Sequence, residues 1–153
     1  MHYWLFKTDP GCFSLDDLTF SPGATTPWDG VRNYQARNLM LEMKKGDQGF
    51  FYHSGKKPEI LALIEVVREA YPDTTAQDSS NRHFDPRATP ENPRWYMVDV
   101  KLLRQFSHPL SLQDLRGQKA LADMELLRRG SRLSVQPVRD DEFRHIMRMA
   151  GEL

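Results

Sequence analysis

The 153-residue sequence predicts an α+β fold, a small and partly open β-barrel of mixed and antiparallel strands with short helices at its edges. Three observations lead there. Several runs alternate apolar and polar residues, or are dense in β-branched and aromatic side chains, as half-buried strands are. The helical stretches are short, and most open on a capping residue. No strand–helix–strand rhythm recurs, and there is no glycine-rich phosphate loop of the kind found in parallel-sheet nucleotide sites.

The elements follow in order. The aromatic-rich run over residues 2–7 reads as a first strand, closed by a turn at Pro10-Gly11. Ser14 with Asp17 three residues on forms a capping box for a short helix that turns Leu15 and Leu18 inward. "SPGATTP" reads as a loop. From Asn33, a capping residue, Ala36, Leu39, Met40 and Met43 fall at i, i+3, i+4 and i+7 and form one apolar helical stripe, ended by Gly46-Asp47. Residues 48–54 and 60–72 read as strands joined by the turn "GKKPE". Residues 72–93 form a long irregular segment with prolines at 72, 86, 90 and 93; a loop of that length in a compact domain is uncommon and often functional. Residues 94–106 alternate as another long strand, and "SLQDL" at 111–115 repeats the helix-start chemistry of "SLDDL" at 14–18. Residues 131–138 read as a short strand. Phe143, Ile146, Met147 and Ala150 give a final amphipathic helix. The length suits one domain spanning residues 1–153.

Composition narrows the function classes. Basic and acidic residues number 21 each, which argues against a protein that coats duplex DNA through bulk charge and leaves room only for a local basic rim. Cys12 is the one cysteine, so there is no internal disulfide and no multi-cysteine zinc site. No apolar run approaches the roughly 20 residues of a membrane span. The N-terminus lacks the basic start and small-residue cleavage site of a signal peptide. These features point to a soluble chain in a reducing compartment, and we expect a cytoplasmic one. The five histidines are scattered without metal-ligand spacing. Ser54 and His53 lack the nucleophile elbow of a serine hydrolase. Cys12 has no obvious base beside it. No metal, cofactor or catalytic residue is expected.

The polar residues at element ends suggest a binding site instead. Trp28 precedes the Asp29-Gly30 turn. Asn33 and Arg37 lie one helical turn apart, beside the apolar stripe. Tyr52, His53 and Ser54 finish one strand, Lys7 finishes another, and Arg132, Ser134 and Gln136 share one side of a third. Gathered at a barrel mouth, an aromatic face with amides, hydroxyls and amines is the chemistry that holds a planar heterocycle.

The motifs "YWLFKTDP", "WDGVRNYQARN", "GDQGFFYHS", "VVREAYPD", "ENPRWYMVDV" and "LLRRGSRLSVQPV" resemble those of the EVE domain family in order and spacing, from Tyr3 to about Ile146. The resemblance implies a PUA-like fold related to the YTH domain, and a non-catalytic module that recognises a modified base in DNA or RNA. It implies a base pocket of Trp28, Asn33, His53, Ser54, Ser134 and Gln136. Lys7, Arg32, Arg37, Tyr52 and Arg132 would then lie at the rim or on phosphate. The alternatives are a binder or enzyme of free modified nucleosides, and an adaptor that docks a protein partner through the 72–93 loop.

Overall fold

The computed structural model describes residues 1–153. Six strands, β1 (Tyr3–Thr8), β2 (Thr25–Pro27), β3 (Gln48–His53), β4 (Glu59–Pro72), β5 (Tyr96–Ser111) and β6 (Val135–Val138), form one sheet. Four α-helices accompany it: α1 (Leu15–Phe20), α2 (Tyr34–Glu42), α3 (Leu112–Arg116) and α4 (Asp140–Met149). The strand order is β2-β5-β4-β3-β1-β6. β1 runs parallel to β3, and every other pairing is antiparallel.

The edge strands β2 and β6 do not pair, so the sheet is not a closed barrel and the mixed α+β architecture keeps the open side expected of it. Register shifts along the β4–β5 ladder bend it. One of these falls between Ile60 and Ala62, opposite Phe106–Pro109, so β5 runs on through Pro109 to Ser111, beyond residue 106 where the sequence pattern ended it. Three residues of the predicted loop "SPGATTP" make β2. A three-residue strand carries too little alternation to be seen in sequence.

Side-chain alternation gives the sheet two apolar faces. Trp4, Phe6, Phe51, Ala62 and Ile64 pack on one with Trp28, Val31 and the α2 residues Ala36 and Met40. Leu5, Phe50, Tyr52, Ile60 and Leu63 pack on the other under Phe143, Ile146 and Met147 of α4. The helices start where their caps lie. Asp17 N–H donates to Ser14 Oγ at 3.2 Å while Ser14 N–H donates to Asp17 Oδ2 at 2.8 Å. Ala36 N–H donates to Asn33 Oδ1 at 2.9 Å, and Asp114 N–H to Ser111 Oγ at 3.0 Å.

The 72–93 segment folds back on the α2 end of the sheet, held by two carboxylates. Asp73 is fully buried (0% exposed). It accepts from Thr75 N–H at 2.9 Å, Thr75 Oγ1 at 2.5 Å, Gly30 N–H at 2.8 Å and Arg32 Nη1 at 3.0 Å. Asp85 accepts from Trp95 Nε1 at 2.7 Å and from Arg87 N–H at 3.0 Å. Trp95 joins Ala76 and Ala88 in a small satellite core, and Tyr34 stacks on it with ring centroids 4.8 Å apart.

Candidate nucleic-acid interface

A cavity of about 570 Å³ opens beside the first apolar face. One wall is the end of β1 and the chain beyond it: Lys7, Thr8, Asp9, Cys12 and Phe13. The floor and second wall are β2 and its continuation: Thr26, Pro27, Trp28, Asp29, Gly30 and Val31. Arg82 and His83 come from the long segment, and Ser134 from the approach to β6.

Trp28 is both core and floor. Its indole meets Phe6, Phe13 and Phe51 edge-on, with centroids 5.2, 6.1 and 5.8 Å away. Only 7% of the residue is exposed, so it offers the cavity a strip of indole rather than a whole face. Phe13, Pro27 and His83 supply the rest of the flat surface. The backbone on either side is pinned: Trp28 N–H donates to Val98 O at 2.7 Å, and Gly30 N–H to Asp73.

Gly30 has a left-handed backbone (φ +78°), and a Cβ there would lie 2.6 Å from the His83 imidazole. Glycine therefore lets the two walls touch. His83 is fixed in turn. Its carbonyl accepts from Arg32 Nε at 3.0 Å and Nη2 at 2.8 Å, and its N–H donates to Asn81 Oδ1 at 2.8 Å.

The charged groups divide into engaged and free. Asp9 accepts from Gly11 N–H at 2.7 Å. Desolvation pulls the Asp73 pKa up, but the bonds from Thr75, Gly30 and Arg32 outweigh it and hold it below the usual carboxylate range. Asp29 is bonded to no other residue. Although much of it reaches solvent, desolvation against the wall, followed by repulsion from Asp73, pushes its pKa up; His83 and Arg32 oppose the shift. Arg82 makes only a weak contact, Nη1 to Cys12 Sγ at 3.8 Å. Among the predicted site residues, Trp28, Lys7 and Ser134 line this cavity.

The other predicted residues lie elsewhere. Asn33 is exposed and spends its side chain capping α2. His53 Nε2 accepts the Leu15 N–H at 3.1 Å, at the first turn of α1. Desolvation lowers its pKa despite Glu59, Asp16 and Asp9 nearby. Ser54 N–H donates to Thr8 O at 2.9 Å, closing the β1–β3 end. Tyr52 is buried on the opposite face, and burial raises its phenol pKa against the pull of Arg116. Gln136 shares its side of β6 with Val138, so it also faces the second core, where Nε2 donates to Leu133 O at 2.8 Å and Oε1 is unpaired. Ser134 precedes β6 and escapes that alternation. Arg32 holds the long segment rather than the rim. Arg37 donates to Arg94 O at 2.9 Å and to Asn38 Oδ1 at 2.8 Å, and sits over the Tyr34 ring. Arg132 is exposed outside the cavity lining.

Sequence reasoning missed Asp29, Arg82 and His83. Asp29 stood next to Trp28 in the quoted motif, and the length of the 72–93 segment was the only signal for the other two.

This architecture has close counterparts. A model of the family described as EVE domain matches residues 2–149. Mouse (Mus musculus) thymocyte nuclear protein 1 is 43% identical over 164 residues, spanning 95% of this chain and 72% of the relative. The crystal structure of human THYN1 protein in complex with 5-methylcytosine-containing DNA has a TM-score of 0.93 at 40% identity, covering 98% of each chain. At the level of fold alone, the YTH domain of Zygosaccharomyces rouxii MRB1 protein, solved with N6-methyladenosine RNA, has a TM-score of 0.56 at 13% identity, covering 97% of this chain and 86% of that one. The fold is thus PUA-like, and this chain, matched along nearly its whole length, belongs to the EVE domain family.

Proposed function

We propose that this protein is a non-catalytic reader that seats one modified nucleobase of DNA or RNA in the Trp28 cavity, with 5-methylcytosine the first ligand to test. The observation that carries the reading is the cavity itself. It has an indole strip at its floor and two cations, Lys7 and Arg82, without ion-pair partners on its walls. Its volume lies within the range of about 300–1,000 Å³ typical of small-molecule sites, which suits a single base and not a duplex. The base must therefore be single-stranded or extruded, at a cost of a few kcal/mol. The DNA complex of the human relative supports this reading. Lys7 and Arg82 are placed to meet phosphate.

Nothing in the cavity couples a nucleophile to a base. The neighbour of Cys12 Sγ is the Arg82 guanidinium, and His53 serves α1. That favours binding over turnover of a free nucleoside. The 72–93 segment contributes Arg82 and His83 to the cavity, which favours a ligand-binding role for it over a separate docking site.

Fluorescence anisotropy with labelled oligonucleotides tests the reading. A buried methyl group is worth about 0.8 kcal/mol, so methylated cytosine binds about fourfold tighter than cytosine. Trp28→Ala removes roughly 1–2 kcal/mol of stacking, the lower part of the known range because only a strip is offered, and weakens binding about 5- to 30-fold. Trp28→Phe, which keeps more of the core, controls for misfolding. Failure of the wild-type chain to prefer any modified base over its parent refutes the proposal.

A further inference from the structure

We infer that Asp29 is the specificity residue of this site: its free carboxylate accepts the exocyclic amino group of the bound base, selecting amino-bearing bases over their oxo counterparts. The inference rests on the reading above and names its substrate class.

Of the cavity's two carboxylates, Asp9 has one oxygen engaged by Gly11 N–H and lies across the cavity from the Trp28 segment, at the end of β1. Asp73, behind the wall, is saturated by Thr75, Gly30 and Arg32. Asp29 alone has no partner in another residue, yet its backbone is held rigidly by Trp28 N–H on Val98 O and Gly30 N–H on Asp73. Its carboxylate, bonded only by its own backbone N–H, keeps acceptor capacity next to the indole and is placed to read the edge of a ring lying on that indole. Carboxylates take the N4 amino group of cytosine in the same way elsewhere. The free groups across the cavity are mostly donors: Lys7, Arg82 and the Ser134 hydroxyl. They complement the ring nitrogen and carbonyl that a cytosine-type edge presents beside its amino group. A thymine would turn O4 onto the carboxylate, leaving two acceptors opposed and both unpaired.

The test compares single-stranded oligonucleotides that differ at one position, 5-methylcytosine against thymine. The two rings carry the same methyl group and differ in the amino or oxo group at position 4 and in N3, which accepts in 5-methylcytosine and donates in thymine. With the full chain, 5-methylcytosine is expected to bind roughly 10- to 100-fold tighter than thymine, the worth of one hydrogen bond to a charged group. In Asp29→Asn the amide can turn its N–H₂ toward O4, so the gap is expected to narrow about tenfold or more, the remainder belonging to N3. In Asp29→Ala, 5-methylcytosine should lose the same factor while thymine does not weaken. Asp29 makes no side-chain bond to the fold, and matched thermal melts check that the variants are intact. A wild-type gap that persists unchanged in Asp29→Asn, or no wild-type gap alongside tight 5-methylcytosine binding, overturns the inference and leaves the reader function standing. No preference for any modified base overturns the function itself.

Discussion

Replacing Gly30 with alanine probes how closely the cavity walls are built. Two costs are readable. The left-handed backbone at φ +78° costs an L-residue roughly 1–2 kcal/mol. The new Cβ would also sit 2.6 Å from His83 Cε1 and Nε2, an overpacking of about 1–3 kcal/mol. His83 cannot retreat with its backbone, because Arg32 and Asn81 hold its carbonyl and N–H; the half-buried imidazole must turn aside instead, which sets the second cost toward the lower end of its range. The sum is about 2–5 kcal/mol, which at about 2–4 °C per kcal/mol for a chain of this size is a melting point lower by some 4–20 °C.

Gly130 is an internal control. It has the same φ of +78° and nothing within 4 Å, so Gly130→Ala incurs the backbone cost alone. The entropy that alanine removes from the unfolded chain applies to both variants and cancels in their difference. Differential scanning calorimetry of Gly30→Ala, Gly130→Ala, His83→Ala and the Gly30→Ala/His83→Ala pair closes a double-mutant cycle. The coupling should recover most of the His83 cost. Base affinity should fall in Gly30→Ala and stay at the wild-type level in Gly130→Ala. A Gly30→Ala variant that melts with Gly130→Ala and binds like wild type would refute the close-wall argument.

Two other outcomes are expected. Arg32→Ala strips the guanidinium from Asp73 and releases the His83 carbonyl; because Arg32 is 23% exposed, the loss is put at about 2–3 kcal/mol, below the usual figure for a broken buried pair, and is read as a melting-point drop. Arg32→Lys should not restore it, since one ammonium cannot reproduce the forked contacts to Asp73, Thr75 and His83, and a full rescue would contradict the clamp. His53 titrates below its ordinary 6.5, chiefly through desolvation, and must be neutral to accept the Leu15 N–H. Its contribution is therefore complete above pH 6.5 and is lost as pH falls through the folded pKa, because the unfolded chain protonates first. Thermal melts from pH 7.5 to 5 should show that decline in wild type and a flatter profile in His53→Asn; parallel profiles would exclude it.

Several motif residues away from the cavity have structural work. Arg68 lies 3.5 Å over the Tyr71 ring. Desolvation and the hydrogen bond to Asp99 push the Tyr71 phenol up to about 12. Glu69 Oε2 accepts from Lys45 N–H at 3.1 Å, and Trp95 centres the satellite core. Asn33 likewise took its capping role. Trp28 serves both as core and as pocket wall, because the indole has more surface than the three phenylalanines cover.

What the sequence determined by itself was local. Capping at Ser14, Asn33 and Ser111 depends on partners three residues away, the apolar stripes of α2 and α4 and the alternation of β5 depend on backbone periodicity, and β1, β3 and β4 show as aromatic or β-branched runs. The family motifs placed Trp28, Lys7 and Ser134 near one another. The tertiary structure alone decided which side of the sheet each polar residue meets. β1 lies between parallel β3 and antiparallel β6, so Gln136 and Tyr52 turn into the α4-covered core while Ser134, one step before the strand, faces Trp28. It also decided that the 72–93 segment returns to deliver Arg82 and His83, since that path is set by Arg32, Asp73 and Gly30 meeting across more than 40 positions of chain. Contacts of that separation leave no period in the sequence, because neither helix nor strand geometry links the residues that make them.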